Sequence, residues 1–182
     1  IENICSGSMH ISLAYAEASH SYEYLKPDTN VSDDNKLNGT KTLVLNGKNA
    51  SKLIVSCVKN GQFSLVLVDK SAEGVSFNSF KTIDEKTCSE FTFENVSIQD
   101  SDVIATGNEA KNLINETINL ATLCISAEAV GCMVSCYHKT VQYTKEREQF
   151  DQPISNFQVL QHRMVDMFID SELAKSLLFK AM

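Results

Sequence analysis

The sequence is poor in arginine. Of its 16 basic residues only Arg147 and Arg163 are arginines, and both fall in one short stretch. Guanidinium is the cation suited to planar, two-pronged binding of phosphate, so that stretch is a functional candidate. With 23 acidic residues the net charge is −7, which excludes the clustered Lys and Arg that a nucleic-acid grip requires. No basic segment leads into an apolar one at the N-terminus, and nowhere do 18 apolar residues follow one another. Neither a secretory leader nor a membrane span is therefore expected, and sequons such as Asn30-Val31-Ser32 carry no weight. The six cysteines (Cys5, Cys57, Cys88, Cys124, Cys132 and Cys136) form no CxxC pair and fit no zinc module. Cys124, Cys132 and Cys136 follow helical spacing in an apolar stretch, where free cysteine behaves as a small hydrophobe. Buried thiols in a reducing, cytoplasmic setting are expected. The histidines His10, His20, His138 and His162 lack HExxH or similar ligand spacing, so no metal is expected. No GxSxG elbow, internal repeat or Gly-rich phosphate loop is present.

What is there falls into two parts, 1–107 and 108–182. Upstream, short alternating or β-branched runs occur at Met9–Tyr15, Lys41–Leu45, Leu53–Val58, Phe63–Asp69, Val75–Phe80 and Glu90–Val96. Asn-Gly pairs at 38–39, 46–47 and 60–61 supply the positive φ angles of tight hairpin turns. Six or more short antiparallel strands predict a small barrel or sandwich. Downstream the apolar period becomes helical from Asn108 to Glu146, through Leu113, Ile118, Ala121, Ile125, Ala129, Val130, Met133, Tyr137 and Val141. Leu120 to Val134 is apolar on nearly every side, the pattern of a helix buried in a bundle. Pro153 breaks the pattern, and a second helix from Asn156 onward carries Val159, Met164, Met167 and Phe168 on its apolar face. The expected class is α+β, with an antiparallel barrel or sandwich followed by long helices of a bundle. Ile1 starts without Met and the last helix ends without a cap signal, so the chain is expected to be part of a longer protein.

One segment carries more. The run Tyr143, Arg147, Gln149, Phe150, Pro153, Ile154, Phe157, Gln158, then Asp166-Met167, resembles the acyl-CoA dehydrogenase signature Y-x-x-x-R-x-Q-F-G-x-P-I-x-x-F-Q with a later D-M pair. Only its Gly is replaced, by Asp151. Leu37-Asn38-Gly39-Thr40-Lys41 resembles the family's L-N-G-x-K hairpin, and Val68 to Val75 and Phe91 to Val96 resemble its middle-domain strands. Ala14-Tyr15-Ala16-Glu17 resembles the A-x-T-E loop that faces the flavin. The closest flavour is the small subunit of pimeloyl-CoA dehydrogenase-like enzymes, with the family's N-terminal helical domain absent from this segment.

The resemblance implies FAD as cofactor. Arg147 would approach the FAD diphosphate, with Gln149, Phe150, Phe157 and Gln158 beside it, reaching the flavin of a neighbouring subunit of the same or a paralogous kind. Tyr15, Ala16 and Glu17 would offer backbone amides to the isoalloxazine ring, and Leu43 stands where the family has a flavin-covering Trp. Ser21, Tyr22 and Thr122 would face the acyl-CoA substrate. The implied reaction is α,β-dehydrogenation of an acyl-CoA to 2-enoyl-CoA, with electrons passed to an electron-transferring flavoprotein.

Departures leave other readings open. Thr of the flavin-facing loop is Ala16 and its Pro is Ala18; G-S-D becomes Ser21-Tyr22-Glu23. Leu43 and Leu45 replace Trp and Thr, and Thr122 replaces the CoA-facing Arg. The helix position for a catalytic Glu is Ala121, and Glu116 and Glu128 are out of register with it. The other family position for the base lies beyond Met182, so no catalytic residue is assigned. Three readings follow: an active dehydrogenase, a degenerate subunit that lends FAD contacts to its partner, or an unrelated β-plus-helix binding module.

Overall fold

The computed structural model describes residues 2–19 and 23–182, in two compact units that divide between Ile114 and Asn115. The first holds a short helix α1 (Glu2–Cys5) and eight strands: β1 (Ile11–Ala14), β2 (Asn30–Val31), β3 (Lys36–Leu45), β4 (Lys52–Lys59), β5 (Gln62–Asp69), β6 (Val75–Lys81), β7 (Thr87–Ser97) and β8 (Val103–Thr106). They form one sheet in the order β6-β7-β3-β2-β4-β5-β8, with β1 paired to β4 off that path.

The sheet is mostly antiparallel, as expected, with two parallel pairings besides. β1 and β2 both run parallel to β4 and share one of its edges, β1 along Lys52–Val55 and β2 at Val58–Lys59. The sheet therefore forks at Ser56-Cys57, and the chain between Ala14 and Asn30 leaves and rejoins it there. Two-residue strands such as Asn30–Val31 give too short a pattern for periodicity to register.

The three Asn-Gly pairs behave differently from one another. Asn60 and Gly61, at φ 52 and 72, turn β4 into β5 with Lys59 opposite Gln62, the primed hairpin turn expected. Asn38-Gly39 instead lies inside β3, at a register shift against β7 between Leu37 and Gly39. Asn46 adopts φ 54 and precedes a 3-10 turn at Gly47–Asn49. Asn38 earns its place by another route, since its Oδ1 accepts the Asn95 backbone N–H at 2.9 Å. The core is built from Leu37, Val44, Leu53, Val55, Val66, Phe91, Phe93 and Val96, all but sealed from water. Phe91 stacks on Phe77 at 5.2 Å and on Phe93 at 6.4 Å.

Helix α2 (Gly107–Glu146) begins in the first unit, where Ala110 and Ile114 are buried, and continues through the second. A two-stranded ribbon, β9 (Glu148–Gln149) with β10 (Gln152–Pro153), connects it to helix α3 (Gln158–Ala181). The helices meet through Tyr137 and Phe168, rings 5.6 Å apart, and through Thr144, whose hydroxyl lies 3.2 Å from the Met164 sulfur. Along the rest of their length the expected burial is not met. Leu120, Ile125 and Met133 on α2, and Val159, Leu173 and Leu177 on α3, are exposed. Cys124, Cys132 and Cys136 are exposed too; only Cys57 and Cys88 are buried thiols. Two helices can bury one seam, and the remaining apolar faces are those that further helices of a bundle would cover. By length and composition α2 is also long and apolar enough to cross a membrane, with a window of mean hydropathy 1.5 that polar residues interrupt.

Candidate functional site

The sequence-predicted residues fall into two places. The first is the ribbon between α2 and α3. Arg147 N–H donates to Tyr143 O at 2.9 Å, so the last turn of α2 fixes its backbone, and its own carbonyl accepts from Ile154 N–H at 2.8 Å. Between these anchors Phe150 and Asp151 turn the chain with φ 56 and 64, positive at both central positions as in a type I′ turn. Asp151 stands where the family motif has Gly; aspartate is among the few side chains that adopt this region readily. Phe150 is 85% exposed at the tip, and Phe157 meets it edge-on with centroids 6.1 Å apart. A 3-10 turn (Ile154–Asn156) leads into α3, and Gln161 Nε2 donates back to Ser155 O at 2.9 Å.

This arrangement brings Arg147, Gln149, Phe150, Phe157 and Gln158 onto one braced ribbon and helix start. Arg147, Gln149 and Gln158 are exposed, and Arg147 has no ion-pair partner among the described residues. A guanidinium with two amides and two aromatic rings on the same short segment is a set chemically suited to a dinucleotide diphosphate, although the Gln149 amide donates to Glu148 O at 2.8 Å. Glu146 and Glu148 flank it in sequence, so the site is not a broad basic patch.

The second place is the fork in the sheet. Glu17 is 5% exposed and receives four donors: Asp28 N–H at 2.6 Å, Thr29 N–H at 3.1 Å, Thr29 Oγ1 at 2.6 Å and Lys41 Nζ at 2.7 Å. Lys41 is fully buried and divides its ammonium between Glu17 and Ser56 Oγ at 2.9 Å. Burial alone pushes the Glu17 carboxyl up, but the donors from Lys41, Thr29 and Asp28 outweigh it and hold the carboxyl below its ordinary value. Burial pulls the Lys41 ammonium below its ordinary value, and Glu17 offsets only part of this. Nearby Cys57 is pushed up to about 12 by burial, so it is an inert thiol. Gly39, at φ 143, lets β3 approach Thr29: a Cβ there would stand 2.5 Å from Thr29 Oγ1.

The Glu17 carboxylate is turned into the fold and fully engaged, which leaves the backbone of Tyr15–Glu17 as the part for which the resemblance implies a flavin-facing role. That segment follows β1 rather than forming part of it, and Ala16 O accepts from Thr42 N–H at 2.9 Å. Sequence reading missed Lys41, Thr29, Asp28 and Ser56. The only available signal was the Lys of L-N-G-x-K, a charge at a position otherwise patterned as strand interior.

The remaining residues stand apart. Leu43 is 56% exposed at φ 52, on the bulge where β3 shifts register between Lys41 and Val44. Thr122 lies in mid-α2, in a groove of about 740 Å³ with Leu120, Leu123, Val130, Met133 and Leu177. Its hydroxyl donates to Ile118 O at 2.8 Å, back along its own helix. About 37 Å of helix axis separates it from Arg147, so α2 does not bring these two together. Ser21 and Tyr22 lie outside the described residues.

Residues 12–96 match the middle domain of acyl-CoA dehydrogenases, and residues 111–182 match the C-terminal domain. The chain belongs to the acyl-CoA dehydrogenase family. It is 28% identical over 155 residues to a 3-(aryl)acrylate reductase of Clostridium sporogenes, covering 80% of this chain and 41% of that protein. It is 28% identical over 154 residues to a mitochondrial isovaleryl-CoA dehydrogenase of Solanum tuberosum, covering 79% and 37%. A crystal structure of glutaryl-CoA dehydrogenase from Mycobacterium smegmatis superposes with TM-score 0.88 at 25% identity, over 98% of this chain and 47% of that one. The same kind of enzyme solved with FADH2 superposes with TM-score 0.86 at 24% identity, over 97% and 47%. The chain therefore spans about two fifths of these curated relatives and about half of the solved chains. The C-terminal domain match begins at Lys111, so α2 lies within it from that residue onward.

Proposed function

We propose that the full-length protein is a subunit of an FAD-dependent acyl-CoA dehydrogenase, and that this chain lends its Arg147 ribbon to the FAD diphosphate at a subunit interface. The observation that carries this is Arg147, exposed and without an ion-pair partner among the described residues, on a ribbon anchored at both ends that also carries Gln149 and Phe150 and leads to Phe157 and Gln158. Arg147 would hold the diphosphate through a planar pair of N–H donors, while the Gln149 and Gln158 amides would fix its orientation. Phe150 would cover the ligand's apolar side. The Tyr15–Glu17 backbone would orient the isoalloxazine ring. Bound FAD supplies the hydride acceptor for oxidation of an acyl-CoA thioester to the 2-enoyl-CoA, with an electron-transferring flavoprotein as the electron partner. Arg147 faces solvent on a ribbon, so a ligand there is free to be shared with a second subunit, of the same or a paralogous kind. Six unpaired thiols fit a reducing compartment such as the cytoplasm.

A second reading, a subunit that binds FAD in trans and catalyses little, is favoured by Thr122. Its hydroxyl is spent on its own helix where the family places a CoA-facing Arg, and Ala121 beside it offers no base. Purification of the full-length protein with and without its neighbouring subunit decides between them. A yellow protein active alone supports the first reading; yellow only on co-expression, with no activity from this subunit by itself, supports the second. A colourless protein under both conditions overturns both.

A further inference from the structure

We propose that the buried Glu17–Lys41 pair is a positioning device that holds the backbone of Tyr15–Glu17 in place at the fork of the sheet, and so fixes where that segment meets the flavin ring. The inference rests on the flavin reading above.

The fork creates the need. β1 ends its pairing at Ala14 opposite Val55, and β2 begins its own at Asn30 opposite Val58. Between them no strand ladder runs along that edge of β4, and Tyr15, Ala16 and Glu17 emerge into the gap. A backbone segment beyond the last ladder bond is held only by what else reaches it. Here three neighbouring elements do so. Thr42 N–H of β3 donates to Ala16 O. Ser56 Oγ, on β4 within the gap, lies 3.5 Å from Tyr15 O. Glu17 is drawn in by Lys41 of β3 and by Asp28 and Thr29 at the far side of the excursion.

Lys41 unites these tethers. The same ammonium that binds Glu17 Oε1 at 2.7 Å also binds Ser56 Oγ at 2.9 Å, so its donors close a ring around the segment from carboxylate to carbonyl. Thr29 completes the far side: its hydroxyl reaches Glu17 while its carbonyl accepts from Val58 N–H at 2.9 Å, locking the return into β2. Gly39 permits this closeness, because any Cβ there would collide with Thr29. Stability alone is a poor reason for such an arrangement, since well-packed apolar residues commonly serve as well as a buried ion pair. What a charged, many-donor site supplies is a single geometry. Ala16 and Ala18 themselves carry no polar side chain, so backbone placement is what these two positions have to offer.

The test uses the full-length protein, with its neighbouring subunit if flavin binding requires it. Wild type is compared with Glu17→Gln, Lys41→Met, the double variant Glu17→Gln/Lys41→Met, and Ser56→Ala. The double variant removes both charges while retaining an acceptor for Thr29, and Ser56→Ala cuts only the arm that reaches Tyr15, so the question survives if the single charge variants do not fold. Amide hydrogen exchange is read at residues 15–18, together with the visible absorption envelope and midpoint potential of the bound flavin. Exchange at those amides about tenfold faster or more, with a shifted potential and altered flavin envelope, is the expected result. Flavin bound with unchanged potential, envelope and exchange in every folded variant would overturn the positioning role alone. Wild-type protein with no bound flavin would overturn the flavin reading itself, and the proposal with it.

Discussion

Lys41 Nζ and Glu17 Oε1 lie 2.7 Å apart in the interior of the β unit, joined by residues 24 apart in sequence. A pair this deeply buried is costly to break from one side, because the survivor is left charged without a partner. Lys41→Met is expected to lower stability by about 3–5 kcal/mol. Glu17→Gln/Lys41→Met should recover a large part of that loss, since Gln retains an acceptor for Thr29 and for the Asp28 amide. Chemical denaturation of the four-member mutant cycle measures the coupling; additive losses would refute a direct pair.

Acid should act on the same site. Glu17 is held below its ordinary value of 4.5, because its donors outweigh the upward push of burial. The unfolded chain therefore takes up a proton at Glu17 at a pH where the folded chain does not. The stability this site contributes is complete above that ordinary value and is lost as pH falls through the lower folded value. Melting temperature measured from pH 6 to pH 3 should fall more gently in Glu17→Gln than in wild type.

Gly39 and Gly61 both have positive φ but should differ in tolerance. At Gly61 an added Cβ meets nothing within 4 Å, whereas at Gly39 it meets Thr29 Cα at 2.7 Å. Gly61→Ala should cost about 1 kcal/mol, from backbone strain alone. Gly39→Ala should cost about 2–4 kcal/mol, since strain and steric collision combine. Equal losses by thermal melting would show that the close approach to Thr29 has no energetic weight.

The ribbon tip offers a gain rather than a loss. Asp151 sits at φ 64, and replacing it by Gly relieves the left-handed conformation without removing any side-chain bond described here. Asp151→Gly is expected to stabilise by about 0.5–1 kcal/mol. A fall in melting temperature would show that the aspartate does more than fill the turn.

Arg147 is the sharpest probe of cofactor binding. Arg147→Ala should abolish retention of FAD through gel filtration, and Arg147→Lys should restore it only in part, because a point charge cannot reproduce the two-pronged contact. Unchanged flavin content in Arg147→Ala would remove the diphosphate role.

The motif around Arg147 was legible in the sequence because its parts are local: Tyr143, Arg147, Pro153 and Phe157 lie within one run. The break between the two helices was read from Pro153, but the two-stranded ribbon that fills it was not, since each of its strands is two residues long. The change from strand to helix near Asn108 was legible because it too is local, as a change of period. The fork was not. It depends on β1 and β2 choosing the same edge of β4 across a long excursion, and neither strand is long enough to declare its partner. The resemblance matched Tyr15–Glu17 to a flavin-facing loop, but the inward turn of the Glu17 carboxylate could not be read, because Lys41, Thr29 and Asp28 are distant in sequence and near in space. The exposed Cys124, Cys132 and Cys136 show the converse error. Their apolar surroundings are real, but two helices alone do not bury them.

That uncovered α2 surface has a consequence during synthesis. A window of mean hydropathy 1.5 resembles, to any machinery that reads hydropathy alone, a segment bound for a bilayer. Until other helices pack against it, this apolar length is available to chaperones, to misinsertion and to other copies of itself. The yield of folded protein should therefore depend on how soon α2 is covered, and on whether the surface that covers it is made in the same cell.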